Sequence, residues 1–263
     1  MLRLVCLFLP IFLWAKPDLD YQKIEPLSAL AQKNFSIEKN KLKYKDKSYQ
    51  IFIAQSKGVV AAKKAFYILD ANKHFPLLLN ALSEASKPYI IVGIGYDNEL
   101  GYDLEQRTRD YTPKVEGESL GGGEAEFFNF LVQKLLPTIK AKYPSVEKQA
   151  LFGHSFGGLF TLNALVNHEL IFDAYFIASP SLWWGNASFL PARFNPAKCP
   201  EIMIFKGTLE NTRKPNELKS SQLAQNLQEQ SGCEVLYSEL KNKNHGSVIK
   251  PALILALNQF LKE

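Results

Sequence analysis

Apolar residues along this chain follow two rhythms, and the rhythms alternate. Tyr44–Gln55 is strand-like, with Tyr49, Ile51 and Ile53 in period-two alternation, and it ends at Gly58. Ala65–Leu69 is a short apolar run closed by Asp70-Ala71-Asn72, and His74–Ser86 then reads as a helix. Tyr89–Ile94 is continuously apolar, as in a strand covered on both faces. Gly95–Gly123 is glycine-rich, charged and without period, too long for a simple connection, and so expected to be an irregular functional loop. Glu124–Tyr143 is the clearest helix, since Phe127, Leu131, Leu135 and Ile139 recur every four residues. Strand Gln149–Phe152, helix Leu159–Asn167 and strands Ala174–Ala178 and Ile202–Phe205 follow. Helix Glu217–Glu229, strand Glu234–Leu240 and helix Ile249–Leu261 close the chain. Residues 16–40 read as a polar leader.

Alternating apolar strands and amphipathic helices imply an α/β fold, a mainly parallel central sheet with helices on both faces. Neither an internal repeat nor a composition break divides the chain, so residues 16–263 are expected to form one domain. The first 15 residues differ. Arg3 precedes an apolar run from Leu4 to Trp14 that stops at Ala15. A spanning helix needs about 20 apolar residues, so this run predicts an export signal cut near Ala15 and a soluble, periplasmic mature protein. Leu13 departs from the small residue preferred three positions before the cut, and an uncleaved anchor is the alternative. The net charge of +5 falls by one when Arg3 leaves. That mild basicity is scattered, denser only at Lys39–Lys47, which argues against a nucleic-acid partner and is compatible with an anionic substrate.

Three cysteines occur, and Cys6 leaves with the signal. Cys199 and Cys233 each precede a predicted strand, so parallel pairing of those strands would bring them together as a disulfide; two free thiols are the alternative. No spacing of Cys and His resembles a metal site, and neither metal nor cofactor is expected.

Gly153-His154-Ser155-Phe156-Gly157 matches G-x-S-x-G. An apolar strand precedes it and a helix follows, which is the context the motif needs. The serine of such an elbow sits on a sharp turn at a helix N-terminus, with glycine two residues before and after to let the chain fold back. A serine hydroxyl needs a base to take its proton. Of the histidines after Ser155, only His245 follows the last strand, in Asn244-His245-Gly246-Ser247. The acid should follow the strand Ile202–Phe205, where Glu210 stands; Glu217 is its nearest rival, and a Ser–His pair without a tight acid is the alternative. Oxyanion donors are expected at the N–H of Phe156, directly after the nucleophile, and at the N–H of Asn72, in the turn after Ala65–Leu69.

Ile68-Leu69-Asp70-Ala71-Asn72, Arg107-Thr108-Arg109-Asp110-Tyr111-Thr112-Pro113, Gly153-His154-Ser155-Phe156-Gly157-Gly158 and Ser179-Pro180-Ser181-Leu182-Trp183-Trp184 together resemble the putative-esterase family of α/β-hydrolases. Within it the likeness is to periplasmic trilactone-siderophore esterases, which open the ester ring of ferric enterobactin, and it spans about residues 40–262. Ala71 departs from the glycine common at that point. The resemblance implies an α/β-hydrolase fold and a serine esterase whose iron belongs to the substrate. Such a substrate is large and trianionic, so Arg107 and Arg109 are candidates to meet its catecholate oxygens, with pairing to Asp110 as the alternative. Of Trp183 and Trp184, one is expected to wall the site and the other to lie in the core. Two further readings stay open: a general carboxylesterase or acyltransferase on the same machinery, and a siderophore-binding protein with a relict elbow.

Overall fold

The computed structural model describes residues 19–82, 87–214 and 216–262. The expected export signal lies outside the described residues. Eight strands make one sheet in the order β1-β2-β4-β3-β5-β6-β7-β8. They are β1 Phe35–Tyr44, β2 Lys47–Ser56, β3 Lys64–Ile68, β4 Tyr89–Tyr96, β5 Lys148–His154, β6 Ala174–Ala178, β7 Glu201–Gly207 and β8 Val235–Leu240. The pairs β1–β2 and β2–β4 are antiparallel, and every other pair is parallel. The helices are α1 Ala29–Asn34, α2 Ala71–Leu79, α3 Leu104–Tyr111, α4 Glu124–Phe130, α5 Leu136–Lys142, α6 Phe156–Asn167, α7 Ser220–Ser231 and α8 Ile249–Phe260.

The strand residues sort by parity onto two cores. Ala65 and Tyr67 of β3, Leu151 of β5, and Tyr175 and Ile177 of β6 face the side covered by α3 to α7. Phe66 and Ile68, Ala150 and Phe152, and Ala174 and Phe176 face α2 and α8. A strand buried on both faces loses polar alternation, which is why these strands read as continuous apolar runs. This is the α/β-hydrolase architecture.

Two elements depart from the sequence-based expectation. Residues 16–40 are not a featureless leader, because they hold α1 and most of β1. Phe35 and Ile37 of β1 pack on the α2–α8 core while Leu42 and Tyr44 pack on the other, so its apolar positions change phase midway. Lys39, Lys41 and Lys43 lie along this edge strand, and charge of that kind blunts an open edge. The second departure is α3, inside the segment expected to be irregular. Asp103 caps it by accepting from Gln106 N at 2.9 Å. Its buried residues are Arg107, Asp110 and Tyr111, so it has no apolar stripe to reveal it. Two helices are displaced from their expected bounds: α2 runs Ala71–Leu79 rather than His74–Ser86, and α7 begins at Ser220 rather than Glu217. The helix expected from 124 to 143 is continuous but wider in its middle turn, Leu131–Leu135, just before Pro137.

Cys199 and Cys233 are joined, with their Cα atoms 5.4 Å apart, at the start of β7 and β8.

Candidate active site

The register of the parallel strands builds the site. His154 pairs with Ala178, and Ala178 with Phe205, so β5, β6 and β7 reach the same edge together. The ladder continues into the turns: Ser155 N donates to Ala178 O at 3.0 Å, and Ser179 N to Phe205 O at 2.8 Å. Ser155 sits at φ 59°, ψ −116°, directly before α6. A non-glycine residue held there stores about 1–3 kcal/mol of strain, tolerated only where the surroundings over-determine it. A Cβ on Gly153 would lie 2.0 Å from Gly157 O, and one on Gly158 would lie 2.8 Å from Ala178 O, so both must be glycine. Gly157 differs from expectation: a Cβ there meets Leu69 Cβ at 3.4 Å and Asp70 Oδ2 and Leu69 Cδ1 at 3.5 Å, all ordinary contacts.

The loop after β7 folds back on itself. Glu210 N donates to Gly207 O at 3.1 Å, and Gly207 N donates to Glu210 Oε1 at 2.7 Å. Leu209 N donates to Lys243 O at 2.9 Å, and Asn242 N to Thr208 Oγ1 at 2.9 Å, which ties this loop to the one after β8. In that second loop Asn244 Oδ1 accepts from Gly246 N at 3.1 Å and Ser247 N at 2.9 Å. These bonds fix the backbone around His245. Its Nδ1 lies 2.8 Å from Glu210 Oε2, and its Nε2 lies 3.0 Å from Ser155 Oγ. An ionised carboxylate only accepts, so Nδ1 carries the proton and Nε2 accepts from the serine hydroxyl. Ser155 has then used its one hydrogen, and Ser181 Oγ, 3.2 Å away, donates to Ser155 Oγ. Ser181 is buried, and its N–H also donates to Ser155 O.

Glu210 Oε1 also accepts from Ser179 Oγ at 2.6 Å, and Lys206 Nζ lies 3.2 Å from Oε2. Burial alone would raise the Glu210 pKa. The hydrogen bonds from His245, Ser179 and Gly207, with the Lys206 charge, outweigh it and bring the carboxyl down to about 2. The structure therefore brings Ser155, His245 and Glu210 into one hydrogen-bonded chain. The rival Glu217 accepts from Arg213 N at 2.6 Å instead. Such a chain can move the Ser155 proton to His245 and hold the resulting imidazolium against a fixed negative charge.

The other histidines are accounted for elsewhere. His74 is buried in α2, donating from Nδ1 to Leu69 O at 2.9 Å and accepting from Tyr102 Oη at 2.9 Å. Burial brings its pKa down to about 4. His168 lies beside Glu124 and stacks on Phe128. His154 is buried with its ring centroid 4.6 Å from that of His245. Burial first, then the neighbouring His245, His74 and Arg107, hold its pKa well below the ordinary value.

Phe156 opens α6, directly after Ser155, so its N–H has no acceptor within the helix and lies at the positive end of the dipole. Asn72 is the second residue of α2, and its N–H is likewise without an intrahelical partner. Its side chain is a clamp on β4: Nδ2 donates to Tyr96 O and Asn98 O, and Oδ1 accepts from Tyr96 N. Gly95 leaves the room for it, since a Cβ there would lie 2.0 Å from Asn72 Oδ1. Ala71 is helical, and Asp70 takes the positive φ of 54°.

Arg107 and Arg109 are not displayed to solvent as free cations. Arg107 is buried and meets Asp70 through two hydrogen bonds of 2.9 Å, and its guanidinium lies 5.4 Å from the Phe156 ring. Of the two arginines, Arg109 makes the alternative pairing with Asp110, its Nε donating at 2.7 Å. Arg107 therefore cannot greet a substrate in this arrangement: it orients Asp70 and backs Phe156. The two tryptophans separate. Trp184 is buried and donates to Pro113 O at 3.0 Å. Trp183 is part-exposed and lines a cavity of about 220 Å³ beside His245. Arg213 reaches that cavity too, and sequence reasoning missed it because the loop after β7 carries no pattern beyond Glu210.

The family described as Putative esterase matches residues 69–246. A siderophore enterobactin esterase of Emericella nidulans is 30% identical, with 80% of this chain and 88% of that protein covered. The chain belongs to the Putative esterase family. It is an ester hydrolase of the serine type on the α/β-hydrolase fold. A siderophore triacetylfusarinine C esterase of Aspergillus fumigatus is 32% identical over 55% of this chain and 56% of its own. The crystal structure of the BES protein from Bacillus cereus superposes with a TM-score of 0.74 at 28% identity, covering 90% of this chain and 96% of that one. Among the described residues, no helix is long and apolar enough to cross a membrane.

Proposed function

We propose that this member of the family is an exported serine esterase that hydrolyses the ester bonds of a catecholate trilactone siderophore such as ferric enterobactin, and so frees the bound iron. Ser155 is the nucleophile, His245 the base and Glu210 the residue that fixes the imidazole. Ser155 Oγ attacks an ester carbonyl while His245 Nε2 takes its proton. The tetrahedral oxyanion is received by the N–H groups of Phe156 and Asn72. Collapse expels the alcohol arm, which takes the proton from His245, and leaves an acyl-Ser155 ester. Water, deprotonated by His245, then attacks that ester and restores Ser155 with release of a carboxylic acid. Three such rounds convert one trilactone into three monomers, a weaker claw for iron than the intact ring. The iron enters as part of the substrate, so the reading requires no resident metal.

The observation that carries the catalytic part is the unbroken chain Ser155–His245–Glu210, with links of 3.0 and 2.8 Å. The substrate part is supported by relatives named as esterases of the siderophores enterobactin and triacetylfusarinine C. Export is supported by the basic-then-apolar pattern of residues 1–15. The test is incubation with ferric enterobactin and chromatography of the products. Linear trimer, then dimer and monomer, are expected, and Ser155→Ala should make none. Cleavage of p-nitrophenyl esters with ferric enterobactin left intact would make this a general carboxylesterase instead.

A further inference from the structure

The cavity beside His245 has Trp183, Lys206, Arg213 and Asn244 in its lining, together with the carboxylates Glu210 and Glu217. Its cations are not equivalent. Lys206 Nζ is 3.2 Å from Glu210 and belongs to the hydrogen-bonded chain. Arg107 and Arg109 are each committed to a carboxylate, Asp70 and Asp110. Arg213 is exposed, its guanidinium lies 5.0 Å from the Trp183 ring centroid, and no carboxylate among the described residues pairs with it. The nearby Glu217 is held by backbone, accepting from Arg213 N at 2.6 Å. The result is a planar cation laid on an indole in a cavity that His245 also lines.

From this geometry we infer that Trp183 and Arg213 form a subsite for one aromatic, anionic arm of the substrate, a catecholate ring that stacks in the cavity with its paired oxygens toward the guanidinium. Three features favour that ligand class. Arginine presents a fork that matches two adjacent oxygens, which a lysine does not. Trp183 and Arg213 together offer two flat surfaces to a flat ring. The size fits one arm: pockets for a whole drug-sized ligand run roughly 300–1,000 Å³, and this one is about 220 Å³. The rest of the trilactone then lies across the open sheet edge, with the ester attached to the bound arm held over Ser155. The inference rests on the proposed siderophore reading, which it makes specific: the substrate cation contact moves from Arg107 and Arg109 to Arg213.

Calorimetric titration of the full chain with N-(2,3-dihydroxybenzoyl)serine and with N-benzoylserine tests it without turnover. The first should bind the wild type, and Arg213→Gln should weaken it about 10- to 100-fold, the ratio carried by a hydrogen bond to a charged group. N-benzoylserine, which lacks the ring oxygens, should change by less than about threefold on the same criterion. Arg213→Lys, keeping charge without the fork, should fall between. Equal affinity of wild type and Arg213→Gln for the dihydroxy probe, equal losses for both probes, or no binding of the dihydroxy probe to the wild type would each overturn the subsite. If ferric enterobactin is cleaved but binding of the probe ignores Arg213, the subsite alone fails. If binding depends on Arg213 but ferric enterobactin is never cleaved, the siderophore reading alone fails.

Discussion

The parallel strands have two ends, and the protein treats them oppositely. At the carboxyl ends of β3, β5 and β6, three non-glycine residues follow with positive φ: Asp70, Ser155 and Ser179, at 54°, 59° and 43°. Each is locked by polar contacts, Asp70 by Arg107, Ser155 by His245 and Ser179 by Glu210. At the amino ends of the same strands, the non-glycine residues described there keep ordinary φ. There the cross-link is covalent, Cys199–Cys233 joining the starts of β7 and β8. Strain gathers where groups must be held in geometries that the backbone resists, and the staple sits where no such demand exists. One edge is thus tuned for chemistry at a cost in stability, and the other is a place where stability is recovered.

That contrast is sharpest in the largest expected effect. Ser155→Ala should lower kcat on any ester by about four to six orders of magnitude while the thermal midpoint stays put or rises, since only one hydroxyl leaves a strained turn. A comparable loss of stability would mean that Ser155 is part of the scaffold. Next in size is a pair of glycine variants at the same edge. Gly153→Ala drives a Cβ into the Gly157 carbonyl and should cost more than about 4 kcal/mol, enough to lose folded protein. Gly157→Ala should be tolerated, and urea unfolding of the two variants compares them directly. The opposite edge should show the reverse signature. Cys199→Ser with Cys233→Ser opens a crosslink across 34 positions. The stability loss should be about 3–4 kcal/mol, with kcat at low temperature unchanged. A rate loss there would tie the two edges together.

The pH dependence of stability divides the edges again. The Glu210 carboxyl is held at about 2, against 4.5 for its ordinary value. Its contribution is therefore complete above pH 4.5 and is lost as pH falls through 2. The stability gap between wild type and Glu210→Gln should narrow across that window in acid unfolding curves. A gap that stays constant would show that Glu210 is not held as an anion by its neighbours. The smallest effect belongs to Ser181, whose one weak bond to Ser155 Oγ is worth about 1 kcal/mol. Ser181→Ala should change kcat roughly tenfold or less and leave KM unaltered.

Much of the working edge is legible in the amino-acid order because it is local. The elbow, its strand and its helix are contiguous, and His245 is fixed by being the histidine after the last strand. Glu210 is legible only by position, since its grip on His245 depends on bonds to Gly207 and Ser179 that no spacing announces. What the sequence hides is polar burial. The inward face of α3 is Arg107, Asp110 and Tyr111, so a period search sees a charged loop and offers both arginines to the substrate. Asp110 adjoins Arg109 and is legible as its partner, but Asp70 becomes visible as the partner of Arg107 only when α3 and the turn before α2 are set side by side. Strand β1 hides for a different reason, because its apolar residues serve different faces at its two ends. Arg213 hides because a lone arginine in a loop has no pattern, and only its seat over Trp183 distinguishes it.

The central claim is that Ser155, at the strained turn, is the atom that attacks. Its most direct test is mass mapping of the full chain after reaction with a fluorophosphonate, which traps an activated serine. A single adduct on the peptide holding Ser155 is expected, formed at least a thousandfold more slowly in His245→Ala. An adduct on another residue, or ester turnover that continues after Ser155 is fully modified, would contradict the account.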